Sequence, residues 1–360
     1  MALGIEQLDD FVNAYLQKYV MGRWQDISLP LQEYYFASRL FDRMNKAEMS
    51  TSQCKWKVEV DYADNFDVVG LYHKDSSDRV NVLDECSMKW AMTTTNYHYD
   101  IDEEVFGQGA EQIVNYIKLR EDGMMKSFFA GMEDLMFGTG PTGPTQSPFP
   151  PTSLMWWLQM SATEGFNGGE PSGFESAGAG GILTSDYPQW KNRTFAYAQV
   201  TREDMIEKTI NSMDLCQFKP PISRPDIADQ QRPNWELLTT HSRVAICRRL
   251  LQLGNDNIGD DLAAHSGNCY IRGVPLTWVP AWTNASSQNA RTDGPIMGVN
   301  WKTFKWYYAA GRNMRKRKPF QHPEMSNVRV RCMDDAGQIV CFNRRGNFHG
   351  YSSATVTETA

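Results

Sequence analysis

The chain has 360 residues, a net charge of −7, 41% hydrophobic residues and 22% charged residues. That suits a folded protein of one large domain or roughly two to three smaller ones; it argues against a surface that grips nucleic acid throughout, though not against a local basic patch. No apolar run reaches the roughly 18 residues of a membrane span, and the 11 Trp, 15 Tyr and 17 Phe are residues that fill cores, subunit interfaces or sugar-binding clefts.

The opening MALGIEQLDDF lacks a basic region followed by an apolar core, so no secretion signal is expected. Residues 1–50 read as short amphipathic helices. Phe11, Tyr15 and Tyr19 share one face, and Tyr34, Tyr35 and Phe41 another, with Gly22 and Pro30 between. Short helices do not hold together alone, so their aromatic faces are expected to be covered by the body or by a neighbouring chain.

KWKVEVDY, residues 55–62, alternates: Trp56, Val58, Val60 and Tyr62 on one side, and Lys55, Lys57, Glu59 and Asp61 on the other. This predicts a half-exposed strand. A second alternation runs from about Ser87 to Tyr99, placing Met88, Trp90 and Met92 on one face. The polar stretch between them makes an extended hairpin, which needs outside support because an isolated two-stranded ribbon is marginal in water. Trp56 and Trp90 are expected on one broad face near its base, contacting protein.

Gln108–Gly138 carries Ile113, Ile117, Met124, Phe128, Met132 and Leu135 at helical spacing, with Glu111, Lys118, Glu121 and Lys126 off that stripe. At about 1.5 Å per residue this helix spans on the order of 45 Å. Gly138 stands where a helix commonly stops, and Gly123 is a place where it could break into two. The Gly/Pro-rich TGPTGPTQSPFPPTS follows as a connector.

Beyond it, TREDMIEKTINSMDLC (201–216) reads as a helix capped by Thr201, with Asp204 three residues on. WELLT (235–239) is a short strand, and HSRVAICRRLLQL a helix ended by Gly254. YIRGVPLTWVPAW (270–282) is a strand with two prolines, edge or bent. PIMGV (295–299) is another strand. Arg312, Arg315, Lys316, Arg317 and Lys318 form the most basic cluster. VRVRCM and QIVCFN around Asp334, Asp335, Ala336 and Gly337 predict a terminal hairpin, in which Cys332 and Cys341 could face each other.

No motif for catalysis stands out: there is no GxSxG, no HExxH and no GK[ST] ending to the glycine-rich 138–145 stretch. The six histidines, at 73, 98, 241, 265, 322 and 349, have no metal-ligand spacing. The seven cysteines show no CxxC pair, and reduced structural thiols are the default. No enzyme, cofactor or metal is expected.

The order of parts, arm, two-stranded projection, long helix, Gly/Pro connector, α/β region and returning strands, resembles the major capsid proteins of tailed bacteriophages with the HK97-type fold. Carrying it are the hairpin at 55–99 with the helix at 108–138, WELLTTHSRVAICRRLLQL with YIRGVPLTWVPAW, and DYPQWKNRTFAYAQVTREDMIEKTINSMDLCQF. The resemblance implies an α+β fold with an N-arm (1–50), an E-loop (51–103), a spine helix (104–140), an A-domain (141–299), and C-terminal P-domain strands with a tail (300–360).

It further implies a shell of hexamers and pentamers around double-stranded DNA on its inner face, within a virion assembled in host cytoplasm. Portal, scaffolding or decoration proteins are possible partners, and no membrane is implied. Phe11, Tyr15, Tyr34, Tyr35, Trp56, Trp90, Arg312, Arg315 and Arg317 become candidate inter-subunit contacts. Some capsids of this fold crosslink a lysine to an asparagine; no motif here ties such residues together, and no crosslink is expected. The alternatives are an encapsulin-type nanocompartment shell and a carbohydrate-active protein with paired carboxylates across a cleft.

Overall fold

The computed structural model describes residues 46–61, 68, 70–71, 83–100, 110–217, 234–254, 269–283 and 289–352, with side chains for all of these except 46–47, 110–118 and 251–254. All belong to one compact unit, Tyr34–Ala360. Phe11, Tyr15, Tyr34 and Tyr35 lie outside the described residues.

A six-stranded sheet is built around one long strand, β14 (Val328–Cys341). One edge of β14 pairs antiparallel with β4 (Ala91–Asp100), from Val328↔Asp100 to Gly337↔Ala91. Its other edge is shared in turn by β13 (Phe320–Gln321), β12 (Arg315–Lys316) and β11 (Phe304–Ala309). β1 (Lys46–Met49) adds in parallel to β11, so the last residues of the expected helical arm are a strand.

The expected terminal hairpin is therefore a single strand. Asp335 and Gly337 are drawn straight by tertiary contacts: the Asp335 carboxylate is buried and accepts the Met314 N–H at 3.1 Å, while the Ala336 N–H donates to the Arg312 carbonyl at 3.0 Å. Cys332 and Cys341 lie along one strand, about 30 Å apart at roughly 3.3 Å per residue, and cannot pair; both are free thiols.

α1 (Ala110–Phe137) runs unbroken through Gly123 and ends one residue before Gly138. Of its described stripe, Met124, Phe128 and Met132 are buried and Leu135 is half-buried, with Met136 buried beside them. It packs on β4, whose residues Ala91 and Tyr97 are buried while Met92, Thr94, Asn96 and His98 are exposed. Met92, expected beside Met88 and Trp90, is 68% exposed. The alternation resets because β3 (Leu83–Met88) ends in one sheet and β4 starts in another. The hairpin partner of β2 (Cys54–Glu59) is β3 alone, from Cys54↔Met88 to Glu59↔Leu83.

The second sheet has seven strands: β5 (Gly165–Gly168), β6 (Asn192–Tyr197), β7 (Trp235–Thr239), β8 (Tyr270–Ile271), β9 (Val274–Trp278), β10 (Ile296–Asn300) and β15 (Phe348–Ser352). Their order across the sheet is β5-β6-β15-β10-β7-β9-β8. β15 thus leaves the C-terminal strands expected to stay together and sits between β6 and β10. β7 and β9 are parallel, a pairing that needs a crossover, supplied in sequence by the stretch containing α4 (His241–Gly254). The expected single strand at 270–282 is a hairpin, turned at Arg272 (φ 53°) and Gly273 (φ 77°), followed by the helical turn α5 (Pro280–Thr283).

β7 and β10 are buried along their whole length. Leu238, Met297 and Val299 face a core shared with α1, β11 and β14, whereas Leu237 and Ile296 face a second core with α4 and α3 (Glu207–Leu215). A strand buried on both faces joins two cores. Thr201 caps the helical segment as expected, its hydroxyl accepting the Asp204 N–H at 3.2 Å; the first turn, Arg202–Ile206, is a π-helix. Among the described residues no helix is long and apolar enough to cross a membrane.

Candidate subunit interface

The alternation of 54–60 becomes a hairpin root with one face against the body. Cys54, Trp56, Val60, Cys86 and Met88 are buried, and Lys55 and Lys57 are exposed. Trp56 is 4% exposed. Its ring meets Trp157 edge-on at 6.1 Å and lies 6.4 Å from Phe342. The Ser87 N–H donates to the Gly180 carbonyl at 2.9 Å. Lys55 Nζ reaches Glu85 Oε1 at 2.6 Å, and its hydrogen bond and charge hold the Glu85 carboxyl below the usual range.

The chain's own core therefore covers Trp56, which leaves it no face for a neighbour. Trp90 lies in the crossing between β3 and β4, partly exposed, its indole N–H donating to the Thr51 carbonyl at 2.9 Å. The two tryptophans do not share a strand face. In the stretch between β2 and β3, Val68 and Leu71 are 88% and 95% exposed.

The basic cluster is a ribbon along β12. Arg315 pairs in register with Asp334, and Lys316 with Met333. Two of its charges are used within the chain: Lys316 binds Glu121 of α1, and Arg317 binds Asp334. Arg331 approaches the other Glu121 oxygen at 3.8 Å. The hydrogen bond from Lys316 lowers the Glu121 carboxyl below its usual range. Arg312, Arg315 and Lys318 are exposed, with no ion pair among the described residues.

Sequence reasoning missed the buried polar pins. Arg344 is 0% exposed and donates to the carbonyls of Trp157 (2.8 Å) and Gly169 (2.7 Å); burial pushes its pKa down to about 10. It ties the end of α2 (Leu154–Trp157) to Gly169, which directly follows β5. Gln338 accepts the Thr152 N–H at 2.7 Å, fixing the connector to β14. A side chain's burial cannot be read from one arginine in a polar run, so no local signal marked it. Among the described residues no group of three or more His, Cys, Asp or Glu side chains could hold a metal ion.

No family model matches the chain, and no curated protein matches it. Solved structures do. A chain of the cyanophage A-1(L) capsid asymmetric unit superposes with a TM-score of 0.54 at 11% identity, covering 90% of this chain and 94% of that one. A Gordonia phage Cozz chain gives 0.51 at 8% identity, over 92% and 90%. A capsid chain of an empty GTA particle gives 0.50 at 7% identity, over 91% and 100%. At such identities the likeness is one of fold, and it runs almost end to end: this chain has the mixed α+β fold of phage capsid chains.

Proposed function

We propose that this chain is a structural shell protein, a major capsid protein of a tailed phage with the HK97-type fold. Copies assemble into hexamers and pentamers of an icosahedral head enclosing double-stranded DNA, with a structural and not a catalytic role. The observation that carries this reading is the near-complete coverage, 90% of this chain and 94% of the cyanophage A-1(L) capsid chain. A fold shared through one part alone would leave the rest free for another activity.

In this reading residues 1–50 form the N-arm, 51–88 the E-loop, and α1 with the six-stranded sheet the P-domain. The seven-stranded sheet, with β15 included, forms the A-domain. The division follows sheet pairing: β4 belongs with β14, and β15 with β6 and β10. The exposed Val68 and Leu71 between β2 and β3 suit a site covered by another copy, because large obligate interfaces are apolar. Portal, scaffolding and decoration proteins would be partners of the shell, and DNA would lie on its inner face.

Electron microscopy of the purified full-length chain, alone and co-expressed with its neighbouring genes, tests this. Closed shells with fivefold and sixfold capsomers are expected. A chain that stays monomeric under all these conditions overturns the proposal, and shells that enclose a protein cargo in place of DNA favour the encapsulin-type alternative.

A further inference from the structure

β4 is an open edge of the six-stranded sheet: it pairs with β14 alone, and β1 forms the opposite edge. Which of its main-chain groups point outward follows from its partner. The Ala336 N–H donates to the Arg312 carbonyl at 3.0 Å, and the carbonyls of Cys332 and Val328 accept the N–H groups of Arg317 and His322 at 2.9 Å each. The even-numbered residues of β14 therefore bond away from β4. In an antiparallel ladder, residues directly opposite either exchange both bonds or both bond away from each other. The register sets Ala336 against Met92, Asp334 against Thr94 and Cys332 against Asn96. Met92, Thr94 and Asn96 thus turn their N–H and C=O groups to the free side, whereas Thr93, Thr95 and Tyr97 bond to β14. Arg120 of α1 binds the His98 carbonyl and caps that end of the edge. Among the described residues nothing bonds the main-chain groups of Met92, Thr94 and Asn96 on the free side, and all three residues are exposed.

Edge strands are ordinarily guarded by charge, proline, a bulge or short length. β4 has none of these guards. It is 10 residues long, its register with β14 runs without a shift, and it holds no proline and no Lys, Arg, Asp or Glu before Asp100. Its threonines and tyrosines are residues that favour strands. An unguarded edge of this kind is a template for another strand.

We propose that a second copy of this chain covers the edge with its own β4, antiparallel about a twofold axis at Thr94. Met92 then faces Asn96 of the second copy, and Thr94 faces Thr94 of the second copy. The parity fits: this axis sets outward-turned residues against outward-turned residues, so each pair exchanges both N–H···O bonds. The composition fits as well. A twofold axis sets a strand against its own sequence, and a strand free of Lys, Arg, Asp and Glu from Ala91 to Tyr99 meets itself without like-charge repulsion. Threonine opposite threonine is a favourable cross-strand pair. The axis stands normal to the sheet, so the exposed faces of both copies look the same way and the sheet continues from one copy into the next. This inference rests on the self-association of the proposed function and names one contact that carries it.

The test follows hydrogen exchange at single-residue resolution in the full-length chain, unassembled and assembled. The amides of Met92, Thr94 and Asn96 should gain protection on association, while those of Thr93, Thr95 and Tyr97 should be protected in both states. Thr94→Pro removes an outward N–H, at a place where an edge strand tolerates proline. Its urea midpoint should stay close to the parent's, while sedimentation shows association weakened about tenfold or more. Thr94→Cys should give, on mild oxidation, a reducible link between position 94 of one copy and position 94 of the other. Assembled protein whose Met92, Thr94 and Asn96 amides still exchange freely overturns the inference and leaves the capsid reading standing. A link from position 94 to any other segment, or unchanged association of the folded proline variant, does the same. A chain that never associates overturns both. Should the proline variant not fold, exchange in the wild-type protein decides it.

Discussion

Gly337 of β14 lies under the ring of Trp306 in β11: a Cβ built at Gly337 would come 2.0 Å from Trp306 Cζ2. Trp306 stands opposite Ile339, and Gly337 opposite Tyr308, so the indole leans diagonally across the strand pair. What looks in sequence like a turn glycine is a packing glycine.

Gly337→Ala should therefore destabilise the fold. Trp306 is buried and cannot swing outward, and overpacking of this kind costs roughly 1–3 kcal/mol. Urea unfolding of the unassembled chain should show a lowered midpoint with an unchanged slope. An unchanged midpoint would show that the indole can move.

Trp56→Ala should act on the fold of the single chain and only through it on assembly. The large-to-small change in a packed core costs about 3–5 kcal/mol, because the contacts with Trp157 and Phe342 are lost together. Urea unfolding of unassembled protein measures it. Full stability of the variant chain combined with failed assembly would restore an inter-subunit role for this residue.

Asp335 predicts a pH dependence. Burial pushes its pKa up to about 6, against 3.8 ordinarily. The folded chain therefore holds the proton more tightly, and this residue's contribution to the unfolding free energy falls as pH rises from about 4 to about 6. The full shift corresponds to on the order of 2–3 kcal/mol. Glu121 works the other way: its lowered pKa contributes stability above the usual carboxylate range that is lost on acidification. Asp335→Asn should remove the falling component between about pH 4 and 6 while leaving the acid limb. A variant with the same pH profile as the parent would refute this.

The exposed charges Arg312, Arg315 and Lys318 should matter between molecules. Changing all three to Gln should leave chain stability within about 0.5 kcal/mol and reduce the salt sensitivity of DNA-free assembly. If assembly is unchanged and DNA binding loses its steep salt dependence instead, the ribbon faces DNA.

Local pattern made much of this legible. The apolar spacing of Met124, Phe128 and Met132 marked α1, Gly138 marked its end, the Thr201 cap marked the helical segment before Cys216, and WELLT marked β7. The alternation of Trp56 and Val58 against Lys55 and Lys57 showed which face of the hairpin is buried. Each is a short-range relation among neighbouring residues.

What the sequence determined alone was thus the type and facing of elements whose periodicity is continuous. Tertiary structure decided where a continuous pattern changes partners. Residues 87–99 read as one alternating stretch, yet the chain passes from β3 to β4 and from one sheet to another. Asp334-Asp335-Ala336-Gly337 has turn chemistry, yet Arg312, Met314 and Trp306 hold it extended. Arg344 reads as surface charge until distant segments bring carbonyls to it. Turn propensity is worth little beside a buried hydrogen bond and close packing, and those depend on residues that only the folded chain brings together.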